Sequence, residues 1–371
     1  MDSKNKLTSR TILKVVIVLI FSAFIFSACN KDYIETDKLL QKSTFFGLKI
    51  DLTNELVTET DLKKYELQEK SFLENKKSKY SAELNKDYEN ISDKKLFDWI
   101  DNETKKYPNL DNDLPSKSEL AYINKIFSEI KTSEDYLKNK SIIFDYINLV
   151  VSINLKVILK TDLLKNKKAK ILHNPDGSKN YIEITNAISD PVYSLKVKNA
   201  ADEADQMCKE IFNNNNVALD GNDYVNSIRH AAWNMLSVSK IAQASLNKWK
   251  GLKHAECIIT AHEYDDVPGA GAATLYIADY TSSVMDGYNN LVGRTYCYNV
   301  IGQTLFGNAK DIPSYNKIKT DIQAFTHVTV TNYNQIYGLG SPSLTNSMLL
   351  DVNDAAYDYY NSSISQKLVH Y

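Results

Sequence analysis

Apolar residues recur at spacings of three and four along most of this chain, and that periodicity limits the fold to packed amphipathic helices. The spacing is clear over residues 61–89 and 116–130, where lysine and glutamate alternate with leucine, isoleucine and tyrosine. With 12 glycines and 7 prolines in 371 residues, collagen-like and linker-dominated chains are excluded. The predicted fold class is mainly α, with a lysine-rich helical N-terminal region, a bundle-like helical C-terminal domain and little β structure.

The first residues have the organisation of an export signal. Four basic residues precede an almost wholly apolar run at residues 15–26, and Cys29 follows shortly after it. This run is short for a membrane span, which needs about 20 residues, so it is predicted to be the hydrophobic part of a signal peptide. The small residues before Cys29 resemble the lipobox of bacterial lipoproteins, which implies cleavage before Cys29 and acylation of its thiol.

An uncleaved anchor helix is the alternative to this lipoprotein signal. In either case the protein is tethered to a membrane and faces away from the cytoplasm. The lipoprotein resemblance predicts a bacterial cell-envelope protein in the outer membrane, with the lipid bilayer as its partner through acylated Cys29.

The charge balance argues against a nucleic-acid partner. The chain has 44 basic and 46 acidic residues and a formal net charge of −2, whereas nucleic-acid binders concentrate lysine and arginine on one domain. Removal of residues 1–28 leaves 343 residues with a formal charge of −5, because that segment holds four bases and one acid. The cysteines that remain beside Cys29 are expected to be buried thiols: Cys208, Cys257 and Cys297.

Composition changes near residue 190. Residues 31–190 hold 27 lysines and two glycines, whereas residues 191–371 hold 13 basic residues and ten glycines. The predicted organisation is a signal peptide (1–28), a tether (29–50), a lysine-rich helical region (51–190) and a helical domain carrying the polar motifs (191–371).

Hydrophobic periodicity and turn residues predict the remaining elements. An apolar stretch interrupted by polar residues is expected to be a buried helix, at 142–159. The predicted helices of the C-terminal domain run from a cap at Asn222 or Asp223 to about 246, over 252–265, over 275–300 and over 352–364, and the predicted strands lie at 181–185 and 325–330.

The helix that begins near Asn222 carries polar residues on one face. Asn222, Asn226, His230 and Trp233 fall at steps of three or four, with Arg229 beside His230. A large aromatic residue within a polar stripe indicates that other elements cover the stripe. Buried polar side chains then need internal partners.

Two other helices offer such partners. His262 ends one face of the second helix with Glu263 beside it, and Asp286 aligns with Asn290 on the third. Gly293 follows on the same face, although glycine costs a helix about 1 kcal/mol relative to alanine. Gly293 is therefore expected to permit close approach of another backbone or of a ligand.

Arginine is scarce after the signal segment. Only Arg229 and Arg294 occur there, against 38 lysines. The planar guanidinium grips a carboxylate or phosphate through two parallel hydrogen bonds, which lysine cannot do. Each arginine is expected either to brace a buried carboxylate such as Asp286 or Glu263, or to bind an anionic ligand directly.

These stretches together resemble an uncharacterised bacterial domain family. Its pattern is Asn, then Asp-Ala-x-Arg-His-Ala-x-Trp, then His-Glu, then Met-Asp-x-x-Asn-Asn-x-x-Gly-Arg. Asn226 stands where the pattern has aspartate, so a role that needs a carboxylate there is not carried over. The resemblance implies a mainly helical domain of exported bacterial proteins and brings no established activity. The corresponding residues here are Asn222, 226–233, 262–263 and 285–294.

Two hydrolase hypotheses follow from these residues. In the first, His230, His262 and Asp286 hold a divalent metal such as zinc and Glu263 is the base, although the chain lacks a His-Glu-x-x-His motif. In the second, His230 or His262 is a metal-free general base oriented by Asp286 or Glu263. Lipid, peptidoglycan or phosphodiester substrates all suit an envelope protein. The candidate substrate-binding residues are Arg229, Trp233, Asn290 and Arg294.

A non-enzymatic binding or structural domain is the third hypothesis. In that case the same side chains form a buried polar network in which every member is paired. A cleft that admits solvent to His230, His262 and Asp286 together favours catalysis, whereas burial with closed hydrogen bonds favours a structural role.

Overall fold

The structure is a computed structural model that describes ten stretches of the chain. The described residues from Ser43 onward belong to one compact unit. Cys29, Asn222 and Glu263 lie outside the described residues, as do the predicted signal peptide and the predicted helix at 352–364. The described stretches are 42–52, 56–75, 92–165, 181–219, 223–262, 265–266, 274–276, 280–339, 347–349 and 367–371.

Helices dominate these stretches, so the mainly α fold class is confirmed. The described residues form α1 (Glu59–Asn75), α2 (Asp93–Thr104), α3 (Lys117–Ile126), α4 (Ser133–Lys165), α5 (Tyr181–Ser189), α6 (Pro191–Ile211), α7 (Tyr224–Ser245), α8 (Lys248–His262), α9 (Tyr280–Val300), α10 (Tyr315–Gln323) and α11 (Tyr333–Gly338).

The strands are short and form four small sheets in the described part of the chain. β1 pairs with β2, β3–β4–β8 form an antiparallel sheet, β5 and β6 an antiparallel hairpin, and β7 runs parallel to β9. The strands are β1 (Lys42–Phe45), β2 (Leu48–Asp51), β3 (Asp265–Asp266), β4 (Thr274–Tyr276), β5 (Gly302–Gln303), β6 (Ala309–Lys310), β7 (Thr326–Thr329), β8 (Ser347–Leu349) and β9 (Lys367–His370).

Side-chain caps set the start of several helices. Ser116 and Glu119 form a reciprocal capping box at the start of α3. The Asp223 side chain accepts a hydrogen bond from the Asn226 backbone at 3.0 Å and so begins α7. Of the two caps predicted for this helix, the structure shows Asp223 in that position. Pro191 occupies the first position of α6, where the missing N–H of proline removes no hydrogen bond of the helix.

The boundaries of the other C-terminal elements differ from prediction in understandable ways. α8 begins at Lys248, four residues before the predicted start, because Asn247 accepts hydrogen bonds from the next backbone N–H groups. α9 begins at Tyr280 rather than near 275, because residues 274–276 pair as β4. The predicted strand at 325–330 is confirmed as β7.

The prediction of a strand at residues 181–185 is wrong, since they belong to helix α5. The alternating sequence Tyr-Ile-Glu-Ile-Thr suggested a strand. The buried residues Ile184, Ala187 and Ile188, however, recur at helical spacing and pack into a small apolar cluster with Leu155 of α4. Tertiary packing therefore overrides the local β preference of these residues.

α4 is the longest described helix and contains the predicted buried helix at 142–159. Its segment Ser133–Asp162 is long and apolar enough to cross a membrane, and 67% of its most apolar window is buried inside the fold. Tyr146 and Val150 of this helix are almost fully buried. Such burial is typical of a core helix in a soluble domain.

α7 is the central helix, and two glycines let its neighbours approach it closely. A Cβ at Gly251 of α8 would lie 2.6 Å from the Val238 carbonyl oxygen, and one at Gly293 of α9 would collide with the Ala231 carbonyl oxygen. The close backbone approach predicted for Gly293 is thus present, and its partner is α7. One apolar core, which includes residues on both sides of position 190, surrounds this helix.

Candidate functional site

α7 and α9 lie side by side and run in the same direction, because residues 60 positions apart contact one another at three successive levels. We call this set of buried side chains the polar ladder. Its members recur every four residues, so they occupy one face of each helix. They are Asn226, His230 and Asn234 on α7 and Asp286, Asn290 and Arg294 on α9.

The acidic end of the polar ladder lies near the start of both helices. Asn226 donates from Nδ2 to Asp286 Oδ1 at 3.0 Å, and His230 Nε2 lies 3.4 Å from the same oxygen. His230 Nδ1 is 3.2 Å from Asn290 Oδ1, so both ring nitrogens of His230 face oxygen acceptors. His230 is 4% exposed and Asp286 is 7% exposed. The predicted pairing of His230 with Asp286 is therefore present, and both residues are buried.

The basic end of the ladder follows one turn later. Asn234 donates from Nδ2 to Asn290 Oδ1 at 2.6 Å and accepts from Arg294 Nη1 at 2.8 Å. This is the one side-chain hydrogen bond of Arg294 to the described residues, and its Nε has no partner there. Arg294 is 2% exposed, and its side-chain partner among the described residues is an amide rather than a carboxylate.

The two arginines thus differ from the expected braces. Asp286 and Arg294 are eight residues apart on one helix, about 12 Å along its axis, and stand at opposite ends of the ladder. Arg229 donates from Nε to Asp205 Oδ1 on α6 at 2.7 Å. Arg229 precedes His230 by one residue, which is a rotation of about 100° around α7, so it faces α6 instead of α9. Within the described residues neither arginine contacts Asp286.

Trp233 contacts both histidines of the predicted site. Its ring centroid lies 6.1 Å from that of His230 and 5.4 Å from that of His262, with both rings nearly edge-on. Its Nε1 donates to the Val197 carbonyl oxygen at 2.9 Å, and 8% of the residue is exposed. The expectation that this tryptophan is covered by other elements is confirmed.

His262, the last residue of α8, forms the accessible part of the site. Its Nδ1 lies 3.0 Å from Oε1 of Glu183 on α5, and 45% of its side chain is exposed while Glu183 is buried. The sequence reasoning did not include Glu183. Glu183 is the only acidic residue of the nine-residue helix α5, and it is buried there.

The two histidines therefore have different chemistry. Burial, followed by the nearby positive charges of Arg229 and His262, lowers the pKa of His230 from 6.5 to about 3. His230 is neutral at physiological pH and is a poor proton acceptor, because a general base works best with a pKa near the operating pH. His262 has access to solvent and an orienting carboxylate.

The metal hypothesis requires three ligands around one point. Within the described stretches, no group of three or more His, Cys, Asp or Glu side chains is arranged to hold a metal ion. Trp233 packs against both His230 and His262, and Glu263, the predicted base, lies outside the described residues. The metal-free hypothesis therefore fits the described geometry better.

A second set of buried ionisable groups, which the sequence reasoning did not find, joins α1, α4, α6 and α8. We call it the buried charge cluster. Lys250 pairs with Asp145 and lies 4.0 Å from Glu69. His254 Nε2 is 3.2 Å from Glu69 and its Nδ1 is 3.5 Å from Asp190. All five side chains are at most 4% exposed.

Two tyrosines and a cavity border the buried charge cluster. Tyr193 donates to Asp145 at 2.9 Å and stacks on the His254 ring at a centroid distance of 3.5 Å. Burial, followed by the negative charge of Asp145, raises the pKa of Tyr65 and of Tyr193 well above 10. A cavity of about 430 Å³ between α1 and α4 reaches Glu69, Asp145 and Lys250. The cluster is thus a buried ionic network beside an open cavity.

All three described thiols, Cys208, Cys257 and Cys297, are free and buried, as predicted. Burial raises the pKa of Cys208 and of Cys297 to about 12. These thiols remain protonated at physiological pH, so neither is a nucleophile of the site.

Comparison with known proteins covers the part of the chain that holds the polar ladder. No curated protein and no solved structure matches the chain. Residues 184–323, which include the whole ladder together with Trp233 and His262, match the model of the family described as Domain of unknown function (DUF6973).

Proposed function

We propose that the protein is a lipid-anchored envelope hydrolase that needs no metal ion, with His262 as general base and Glu183 as the residue that orients it. The observation that carries this proposal is the 3.0 Å contact between His262 Nδ1 and the buried Glu183 carboxylate, combined with the 45% exposure of the His262 side chain. A general base needs a fixed tautomer on one side and access to substrate on the other.

The polar ladder positions this pair rather than reacting itself. His230 is neutral and buried, and the ladder fixes α7 against α9. Trp233 projects from α7 against the His262 ring and restricts its orientation. Trp233 and Glu183 therefore hold the His262 ring, and the ladder fixes the helix that carries Trp233, which is the preorganisation that acid–base catalysis requires.

An imidazole base activates water for attack on an ester or phosphodiester bond. In this step the base takes a proton from water, the hydroxyl oxygen bonds to the acyl carbon or to phosphorus, and the ester oxygen leaves with a proton. Both bond types occur in envelope components, and the lipobox-like sequence ending at Cys29 supports an envelope location.

A non-enzymatic domain is the second candidate, and the burial of the polar ladder favours it. All six ladder residues are at most 7% exposed and are linked by hydrogen bonds or ion-pair contacts. Such a buried network fixes helix register without any reaction. Under this alternative, substitution of His262 changes no hydrolytic activity.

Hydrolysis assays on the detergent-solubilised full chain test the proposal. The substrates are p-nitrophenyl butyrate, bis(p-nitrophenyl) phosphate and dye-labelled peptidoglycan. Loss of a general base costs about 10²–10⁴-fold in rate, so His262→Ala is expected to lose that factor and Glu183→Gln somewhat less. His370→Ala, which changes a histidine in β9, is the matched control and retains full activity. An inactive wild type, or an active His262→Ala, refutes the hydrolase proposal.

Labelling with palmitate tests the proposed lipid anchor at Cys29 separately. The wild-type chain is expected to incorporate labelled palmitate during expression in a bacterial host, and Cys29→Ser is expected to incorporate none. Cys208→Ser controls for labelling of other thiols, because Cys208 is buried. Equal labelling of the Cys29→Ser variant refutes the lipid anchor and leaves the hydrolase proposal standing.

A further inference from the structure

The hairpin that follows α9 ends in two exposed apolar side chains. β5 and β6 pair with Gln303 opposite Ala309, and the turn between them presents Leu305 and Phe306. Leu305 is fully exposed and Phe306 is 91% exposed, more than any other large apolar side chain in the described stretches. Single exposed apolar residues are common, but an adjacent pair at the end of a hairpin indicates an interaction site. We call these two residues the apolar tip.

The backbone holds the apolar tip rigidly. Thr304 donates from its backbone N–H to the Asn308 carbonyl oxygen at 2.8 Å, and Gly307 donates to the Thr304 carbonyl oxygen at 2.9 Å. Gly307 has φ +81°, a left-handed conformation that glycine adopts without strain. Ala309 donates to the Leu246 carbonyl oxygen at 2.8 Å, which ties the hairpin to the end of α7.

Aromatic and basic side chains lie at the same end of the fold, where α8 begins and α9 ends. Lys248 Nζ is 4.4 Å from the Tyr298 ring centroid, and Trp249 lies 5.9 Å from Tyr298 between centroids. Trp249 is 36% exposed, and the Lys310 side chain in β6 is 54% exposed. We call these four residues the aromatic–lysine belt. Tryptophan, tyrosine and lysine with this arrangement are enriched where proteins meet lipid headgroups.

We propose that the apolar tip inserts into a lipid bilayer while the aromatic–lysine belt contacts the headgroups. The proposal rests on the proposed lipid anchor, which would hold the chain at a membrane. Two apolar side chains are too few for a protein interface, which buries about 800 Å² on each partner. A bilayer accepts a protrusion of this size, because its interior has no shape to match. Lys248 and Lys310 suit anionic headgroups.

Depth-dependent fluorescence quenching tests the insertion. The full-length acylated protein is reconstituted into phosphatidylcholine–phosphatidylglycerol vesicles with or without bromine on the acyl chains, and the signal of the native tryptophans in wild type is subtracted. Phe306→Trp places a reporter in the apolar tip. Leu114→Trp is the matched control, since Leu114 is 54% exposed in the stretch before α3.

The expected result is that brominated lipid removes at least half of the added emission of Phe306→Trp and leaves that of Leu114→Trp unchanged. Equal quenching of both variants, or none in Phe306→Trp, overturns the insertion. If the protein floats with the vesicles but Phe306→Trp shows no quenching, insertion of the apolar tip is refuted and the lipid anchor is not. The apolar tip would then bind a different partner. Protein that stays in solution refutes both the anchor and the tip.

Discussion

Replacement of Gly293 by alanine tests whether close approach of α9 to α7 holds the polar ladder together. A Cβ at this position would collide with the Ala231 carbonyl oxygen and lie 3.0 Å from the Asn234 side chain. The collision is with helix backbone, so relief requires that α9 move away from α7. Asn234 is the residue that links the ladder to Arg294, so any such movement acts on that link first.

Three contributions set the expected change in the free energy of unfolding of Gly293→Ala. Alanine gains about 1 kcal/mol over glycine from helix propensity. Overpacking costs about 1–3 kcal/mol. Stretching of the 2.8 Å bond from Arg294 to Asn234 removes a charged hydrogen bond in the interior, worth about 1.5–3 kcal/mol. Gly293→Ala is therefore expected to lower the free energy of unfolding by about 2–5 kcal/mol, although propensity alone predicts an increase.

Urea unfolding followed by far-UV circular dichroism measures this difference. The midpoint is expected to fall while the slope with urea concentration stays constant, which is the signature of a change in stability alone. Thr320→Ala, on the exposed side of α10, is the control for propensity, and it is expected to change stability by less than about 0.5 kcal/mol. A Gly293→Ala protein at least as stable as wild type would show that the two helices do not need their close contact.

The other predictions concern the buried ionisable groups. Because burial lowers the pKa of His230 from 6.5 to about 3, the unfolded chain binds the extra proton between these values. The contribution of His230 to stability is therefore present in full above pH 6.5. The free energy of unfolding falls by up to about 1.4 kcal/mol per pH unit as the pH decreases toward 3. Thermal unfolding should show this slope, and His230→Gln should reduce it. Lys250→Met leaves Asp145 buried without its cation and is expected to cost about 3–5 kcal/mol in urea unfolding, whereas addition of Asp145→Asn should restore part of the loss. Equal stability of the single and double variants would exclude this coupling.

Much of the site could be predicted because its signals are local. His230, Asp286 and Asn290 repeat at helical steps, and those steps place them on single helix faces before any packing is known. Gly293 breaks helix preference at the one level where α9 meets the α7 backbone, so its presence indicated a close contact. Trp233 in a polar stripe indicated cover by other elements.

Partners brought together from distant parts of the chain could not be predicted in the same way. Glu183 lies 79 residues before His262, and nothing in either sequence neighbourhood identifies the other. Lys250 and Asp145 are 105 residues apart in the buried charge cluster. Arg229 was expected to pair with a carboxylate such as Asp286 or Glu263, and it pairs with the carboxylate of Asp205 instead. The direction that it faces depends on where α6 packs around α7, and a single sequence does not contain that arrangement.

The close contact of Gly251 with α7 limits how far His262, at the other end of α8, can move. Gly251 fixes the start of α8 against α7, and His262 lies eleven residues later, about 16 Å along the helix. The length of α8 therefore determines where the His262 imidazole meets Glu183. Insertion of one helical turn would displace His262 by about 5.4 Å and leave the pairing of α7 with α9 untouched. The position of the proposed base is thus set by α8, whereas the rigidity of the helices that support it is set by α7 and α9. Each can change in evolution or design without the other.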